Sequence, residues 1–313
     1  KQGLRLLQFV DLKSATTKAN VVTTPAVTAI VLNWCNYDDT VDCLQSLLNC
    51  DYENLDILLV DNGSLDDSFE RLNASFPQIK FLQTGENIGY AGGNNRGIEQ
   101  ALNRDINYVL ILNNDTILDP KSVRKLVNVA EEANQRVGGV VPKVLYYDQP
   151  DRIWYAGGEF SPIRGLGIHW REGDLDQSDE EETAHEVTFM TGACCLFSAE
   201  ALRELKGFDE DFFAYVEDAE LSLRMTDAGY QMYYQPEARI LHRCPPPGTP
   251  PSPFQIRQRD QNRRRIMRKH SSLTQRLPFL ARFYATRAIL LVRYVIKGDW
   301  QRAQAILNGM RES

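Results

Sequence analysis

Apolar positions along the first third of the chain alternate between two periods. Val27 to Leu32 form a mostly apolar run of strand length, and Asp38 to Asn49 then place Val41, Leu44, Leu47 and Leu48 at helical spacing. The alternation recurs. Asp56 to Val60 predict a strand, Leu65 to Ala74 a helix, Ile79 to Leu82 a strand, Ala91 to Arg104 a helix and Tyr108 to Leu112 a strand. Strands that alternate with helices in this way form a mostly parallel sheet joined by crossover helices, an α/β architecture. Asp119 and Pro120 then offer an N-cap and a first-turn proline for a helix reaching about Ala133.

Beyond that helix the pattern shortens. Gly138 to Val141, Lys143 to Tyr147 and Ile153 to Ala156 predict short strands, followed by a glycine-rich stretch, Gly157 to Gly173, and an acidic segment, Asp174 to Glu182, expected to be mobile. Val187 to Phe197 predict strands, a short helix starts at Ala199, and another runs from about Glu217 to Ala228 and stops at Gly229. Tyr230 to Tyr234 and Ala238 to Leu241 close this part as strands. Seven of the ten residues from Cys244 to Pro253 are proline or glycine, which fits neither a helix nor a central strand. Phe254 to His270, Leu277 to Ile296 and Trp300 to Met310 predict helices. The expected organisation is an N-terminal extension over 1–25, a main domain over 26–243, a linker over 244–253 and a basic helical extension over 254–313.

The 313 residues, 43% hydrophobic and 25% charged, suit a soluble chain with one sizeable core. No apolar run approaches the roughly 18 residues of a membrane span. The net charge of -7 hides an asymmetry, because Phe254 to Gly298 carry twelve Lys and Arg against the single acid Asp260. Such a stretch is either a solvated helix face or a surface drawn to an anionic membrane or a phosphate-bearing acceptor; no nucleic-acid partner is expected. The six cysteines form no CxxC pair, which points to ordinary thiols in a reducing, cytoplasmic setting. Lys1 to Pro25 show no signal-peptide pattern, and a chain starting at Lys1 reads as a fragment or a processed product.

Four polar clusters each follow an apolar strand: Asn33-Trp34, Asp61 to Ser64 with Asn62, Asn87 to Asn94 with Gly89 and Gly92, and Asn113-Asn114-Asp115. Open α/β sheets bind ligands beyond the carboxyl ends of their strands, so all four should share one rim. Asp61 can accept a hydrogen bond from a base or ribose, or else begin a turn. The glycines let backbone approach a phosphate, although they form no GxGxxG. Asp115 follows a buried strand, where a carboxylate is costly unless it binds something, and hard divalent cations take such oxygens; an Asx turn is the alternative. Glu217 and Asp218 stand behind Phe212, Phe213 and Tyr215 at a helix start. The helix dipole favours an ionised acid there and the aromatics raise its pKa, which suits a general base; ordinary charge complementarity at a helix end is the alternative. His242 ends a strand just before the proline-rich run.

In order and spacing these clusters resemble the inverting family 2 glycosyltransferases of the GT-A fold, particularly the bacterial rhamnosyltransferase-like branch. The resemblance covers about Pro25 to His270, through Val60 to Asp67, Asn87 to Ile98, Leu112 to Pro120, Thr191 to Ala201 and Gly207 to Gly229. It implies a Rossmann-like mixed sheet flanked by helices, and transfer of a sugar from a nucleotide diphosphate sugar, UDP- or dTDP-linked, to a glycan or lipid-linked acceptor. It also implies that Asn33, Trp34, Asp61 and Asn62 hold the donor with the Asn87, Gly89, Gly92 and Asn94 loop, that Asn113 and Asn114 adjoin it, and that Thr191 and Gly192 border donor sugar and acceptor. Asp115 matches the last acid of a DxD-type motif that binds Mg²⁺ or Mn²⁺, His242 a histidine completing the metal shell, Asp218 the catalytic base and Glu217 its orienting partner. The basic C-terminal helices suggest a peripheral place at the inner face of the cell membrane, where lipid-linked acceptors would be found. The chain departs from the branch at Cys35, at Asn113 in place of aspartate, in the Pro245 to Pro251 run, and at Gln261-Asn262 in place of Arg-Asn. Competing readings are a nucleotide-sugar hydrolase or nucleotidyltransferase, and a non-catalytic nucleotide- or carbohydrate-binding module.

Overall fold

A computed structural model describes residues 24–177, 183–246 and 248–311. The leader before Thr24 and most of the acidic run after Gln177 lie outside the described residues. The N-terminal half is built as the hydrophobic periods predict. Strands β1 (Val27–Asn33), β2 (Leu55–Asp61), β3 (Lys80–Gln83) and β4 (Tyr108–Asn113) lie parallel in the order β3-β2-β1-β4. Crossover helices α1 (Tyr37–Leu48), α2 (Ser68–Ser75) and α3 (Gly89–Leu102) connect them. β1 and β4 are covered on both faces, so their sequences run apolar without alternation. Helix α3 sits close on β1: a methyl group at Gly93 would lie 2.6 Å from Leu32 Cδ1, and one at Gly97 2.7 Å from Ile30 Cγ2.

After β4 comes a three-residue strand the pattern did not announce, β5 (Thr116–Leu118), and then α4 (Ser122–Glu132). This helix starts later than Asp119 and Pro120 suggest. Asp119 Oδ1 accepts from the backbone N–H of Lys121 at 3.0 Å and so caps a turn instead of the helix. Strands β6 (Val137–Tyr146), β7 (Gln149–Tyr155), β8 (Gly158–Ser161), β9 (Leu166–His169), β10 (His185–Val187), β11 (Cys194–Ser198) and β12 (Gln231–His242) follow, with α5 (Ala199–Leu205) and α6 (Glu217–Asp227) between the last two. The main sheet is mixed, in the order β10-β12-β6-β11-β4-β1-β2-β3, with β5 on β12 and β7 on β6. β11 runs antiparallel to β4 and β6, while β12 runs parallel to β6.

Two strands read as broken in the sequence are continuous here. β6 carries Pro142 and β12 carries Pro236, and the ladder between them slips between Gln235 and Arg239. That irregularity removes the need for the two missing N–H donors. The glycine-rich stretch holds the separate hairpin β8–β9, and residues 188–193 are not strand.

Helices α7 (Pro253–His270), α8 (Leu273–Ile296) and α9 (Trp300–Arg311) finish the chain. α8 begins earlier than its apolar spacing suggests because Ser272 and Gln275 form a capping box. Ile266 and Met267 of α7 and Phe279 and Phe283 of α8 are buried in the main core; Ile256, Ala305 and Ile306 make a small separate cluster.

Candidate active site

The strand ends form the expected rim, but several polar residues on it face inward. Asn33, at the end of β1, is fully buried. Its amide donates to Asp61 Oδ1 at 2.9 Å, Ser64 Oγ at 3.2 Å and Ser68 Oγ at 3.1 Å, and its oxygen accepts from Thr40 at 3.0 Å. It therefore fixes Asp61, which ends β2 and also receives the Ser64 hydroxyl and N–H. Asn62 braces the following loop, donating to Asn87 Oδ1 and the Gly89 carbonyl, both at 3.1 Å, and accepting from the Ile88 N–H at 3.2 Å. Gly89 has φ +82°, and a side chain there would collide with the Phe213 carbonyl at 2.4 Å. Asn94 is buried on α3 and donates to the Tyr90 carbonyl, while Gly92 packs against Ile88. Of the residues expected to hold the donor, Trp34, at 52% exposure, and Asn87 are exposed, beside Cys35 and Leu65.

Beyond β4, Asn114 donates to Thr40 at 2.8 Å, and Asn113 takes the Thr116 hydroxyl on its carbonyl at 2.7 Å. Strand β5 pairs Thr116 with His242 of β12, bringing the acid before one to the imidazole of the other. Asp115 Oδ1 and His242 Nε2 lie 3.2 Å apart. Asp115 Oδ1 and His242 Nδ1 are buried without a hydrogen-bond partner, and Trp154 packs edge-on against the imidazole at 4.8 Å. Among the described residues no group of three or more His, Cys, Asp or Glu gathers as a metal site. One carboxylate oxygen and one imidazole nitrogen fit a divalent cation that draws its remaining positions from phosphate oxygens and water.

The acid pair at the start of α6 sits behind a strained turn. Tyr215 and Val216 both have left-handed backbones, at φ +67° and +75°, a costly state for a β-branched residue. Asn262 of α7 holds it, donating to the carbonyls of Ala214 at 3.0 Å and Tyr215 at 2.8 Å. Asp218 Oδ2 then accepts from the Gly192 N–H at 3.0 Å and Oδ1 from the Ala219 N–H at 2.8 Å. Burial pushes the Asp218 carboxyl up, and those two N–H groups pull it partly back. Burial, and then the charge of Asp218, push Glu217 well above the usual carboxylate range, and Glu217 Oε2 has no partner. The pair is thus unequal: two N–H donors favour an ionised Asp218, while burial and the neighbouring charge disfavour an ionised Glu217.

Backbone joins the two centres. The Asn113 N–H donates to the Ala193 carbonyl at 3.0 Å, the neighbouring Gly192 donates to Asp218, and Thr191 is buried beside them. The phenol of Tyr215, raised mainly by burial, feels the charges of both Glu217 and Asp115. The segment Gly192–Ala193 thus contacts both Asp218 and the strand end that leads to Asp115. The sequence pattern did not single out Tyr90, whose hydroxyl donates to the Gly192 carbonyl at 2.7 Å, or the clamp made by Asn262. The clamp's signal was the Gln261-Asn262 pair, visible only as a departure from an expected Arg-Asn.

A family model described as "Glycosyltransferase like family 2" matches residues 25–268. The chain belongs to this family. As a family 2 glycosyltransferase it is 30% identical over 205 residues to the N-acetylglucosaminyl-diphospho-decaprenol L-rhamnosyltransferase of Mycobacterium tuberculosis, and 26% identical over 214 residues to the low-salt glycan biosynthesis hexosyltransferase Agl10 of Haloferax volcanii. These matches cover 59% and 61% of the chain and 66% of each relative. Among solved structures, GalNAc-T7 with UDP, GalNAc and Mn²⁺ superposes with a TM-score of 0.62 at 14% identity, over 79% of this chain and 48% of that one. The mannosyltransferase PcManGT from Pyrobaculum calidifontis, with GDP-Man and Mn²⁺, gives 0.57 at 16%, over 92% and 87%. The family 2 glycosyltransferase has the GT-A fold.

Proposed function

We propose that the enzyme transfers a sugar, with inversion, from a UDP- or dTDP-linked donor to a hydroxyl of a lipid-linked glycan. Asp218 removes the proton of the acceptor hydroxyl, whose oxygen forms the bond to the anomeric carbon while the nucleoside diphosphate leaves from the opposite face. The observation that carries this reading is the joining of Asp218 to the Asp115–His242 pair through Gly192, Ala193 and Asn113. Burial raises Glu217 more strongly than Asp218, whose two N–H donors favour its carboxylate, and this supports Asp218 as the base of the pair. Asp115 and His242 would hold Mg²⁺ or Mn²⁺, which when bound neutralises charge on the departing diphosphate. Asp61, buried and held by Asn33 and Ser64, shapes the end of β2 where base or ribose would lie, and the name of the mycobacterial relative supports a diphospho-lipid acceptor.

The purified chain, supplied with nucleotide sugars and a lipid-linked acceptor, should release nucleoside diphosphate together with a glycoside. Free sugar in place of glycoside would instead mark a hydrolase. Asp218→Asn should lower turnover by roughly 10² to 10⁴ while keeping nucleoside diphosphate affinity. Undiminished transfer by that variant would remove Asp218 from its role.

The same acceptor places the enzyme at an anionic membrane face. Leu277, Tyr284, Ile289, Val292, Val295 and Ile296 are all at least 40% exposed along one outward side of α8. Arg282 and Arg293 border that stripe without a carboxylate partner among the described residues. Two copies packed there would bring these like charges together, whereas anionic headgroups neutralise them.

A further inference from the structure

A cavity of about 590 Å³ lies away from Asp115, between α7, α8 and the loop joining β8 to β9. Six arginines and one lysine line it, against Asp260 as the one acid. Asp260 is almost fully buried, and its Oδ1 takes Arg287 at 2.7 Å and Arg263 at 3.5 Å. One carboxylate cannot neutralise both. Among the described residues Arg259, Arg282, Arg293 and Lys297 have no carboxylate partner at all, and Arg287 Nε is buried without an acceptor. Arg263 shows the crowding: burial and then the charge of Arg287 hold its guanidinium down to about 10, with Arg259 and Arg282 adding to the effect. Cations this dense repel one another unless an anion sits among them, and arginine forks match phosphate oxygens.

One wall of this groove carries Arg259 of α7. Arg259, less than one helical turn before the Asn262 clamp, is close enough for its charge to act on both Asp260 and Asp218. Its outer wall is α8, whose opposite side is the exposed apolar stripe. A ligand with a sugar hydroxyl at Asp218, a charged centre in the groove and a hydrocarbon tail along α8 satisfies all three surfaces. The donor diphosphate, by contrast, belongs with Asp115 and His242. We propose that the α7–α8 groove binds the diphosphate of the acceptor, a glycosyl diphosphate carried on a lipid. The assignment rests on the transferase reading above.

Geranyl diphosphate, titrated calorimetrically into the full chain in metal-free buffer, tests the groove without the cation a donor diphosphate needs. Wild type and Asp115→Ala should bind it alike, and the double variant Arg282→Ser/Arg293→Ser should bind it at least about tenfold more weakly. Both arginines lack ion-pair partners, so the variant should melt like the wild type. Equal binding by the double variant, or loss in Asp115→Ala, would overturn the groove. So would a wild type that binds phosphatidylglycerol vesicles but not geranyl diphosphate, since the cations would then serve headgroups alone. Nucleoside diphosphate binding with Mn²⁺ is measured on the same proteins and should be equal in all but Asp115→Ala. Its absence in the wild type would sink the transferase reading and the acceptor assignment with it, whereas a failure confined to geranyl diphosphate sinks the groove only.

Discussion

Glu217 and Asp218 share a helix start and meet different surroundings: Asp218 has two N–H donors, while one oxygen of Glu217 has none. A carboxyl whose pKa is higher folded than unfolded favours the fold while protonated, and that contribution fades as pH rises through the folded value. Glu217→Gln should therefore melt like the wild type near pH 3, below the ordinary glutamate value of 4.5, and should melt increasingly higher as the pH rises toward 8, by about 2 °C or more. A wild type whose advantage grows with pH would contradict the raised Glu217 carboxyl. The raised Asp218 carboxyl likewise puts the acidic limb of the pH–rate profile above the ordinary aspartate value of 3.8. At this scale the sequence showed which acids stand at strand and helix ends. It could not show that Asn33 spends its whole side chain on Asp61 and three hydroxyls, because an amide bonded inward and one open to a ligand are spelled alike.

The turn before α6 and the helix that clamps it act as one unit. Replacing Asn262 by Ala leaves the carbonyls of Ala214 and Tyr215 without their donor, at a cost on the order of 1–3 kcal/mol. The left-handed pair at 215 and 216 then relaxes and Asp218 loses its aim. Asn262→Ala should lower kcat with little change in donor KM; an unaltered kcat in a destabilised protein would reduce the clamp to a structural tie. Long periodic elements such as α1, β1 and β4 were readable from their spacing. Three-residue β5 was not, although it delivers Asp115 to His242, since three residues carry no period and the pairing strand lies far away in sequence. Pro142 and Pro236 misled for a related reason: each looks like a break until its partner supplies the matching irregularity.

Across the whole molecule, charge and apolar surface are sorted together onto the last helices. No helix of the described residues is long and apolar enough to cross a membrane, so the exposed stripe of α8 suits lying along one. The chain should sediment with phosphatidylglycerol vesicles at low salt and dissociate as ionic strength rises, with weaker binding to neutral vesicles. Ile289→Asp with Val292→Asp should abolish sedimentation; its persistence would assign the stripe to another partner. The basic run was plain in the composition, but which side of α8 faced outward depended on packing that no local pattern encodes.

The tight seating of α3 against β1 also limits how this enzyme can change. With no room for a methyl group at Gly93 or Gly97, any bulk added there would push the strand end that carries Asn33 and, through it, Asp61. Drift in nucleotide preference is thereby confined to the open margin, above all to Trp34 and Leu65, whose exposed side chains can change without breaking the hydrogen bonds that Asn87 and Cys35 accept from the neighbouring loop.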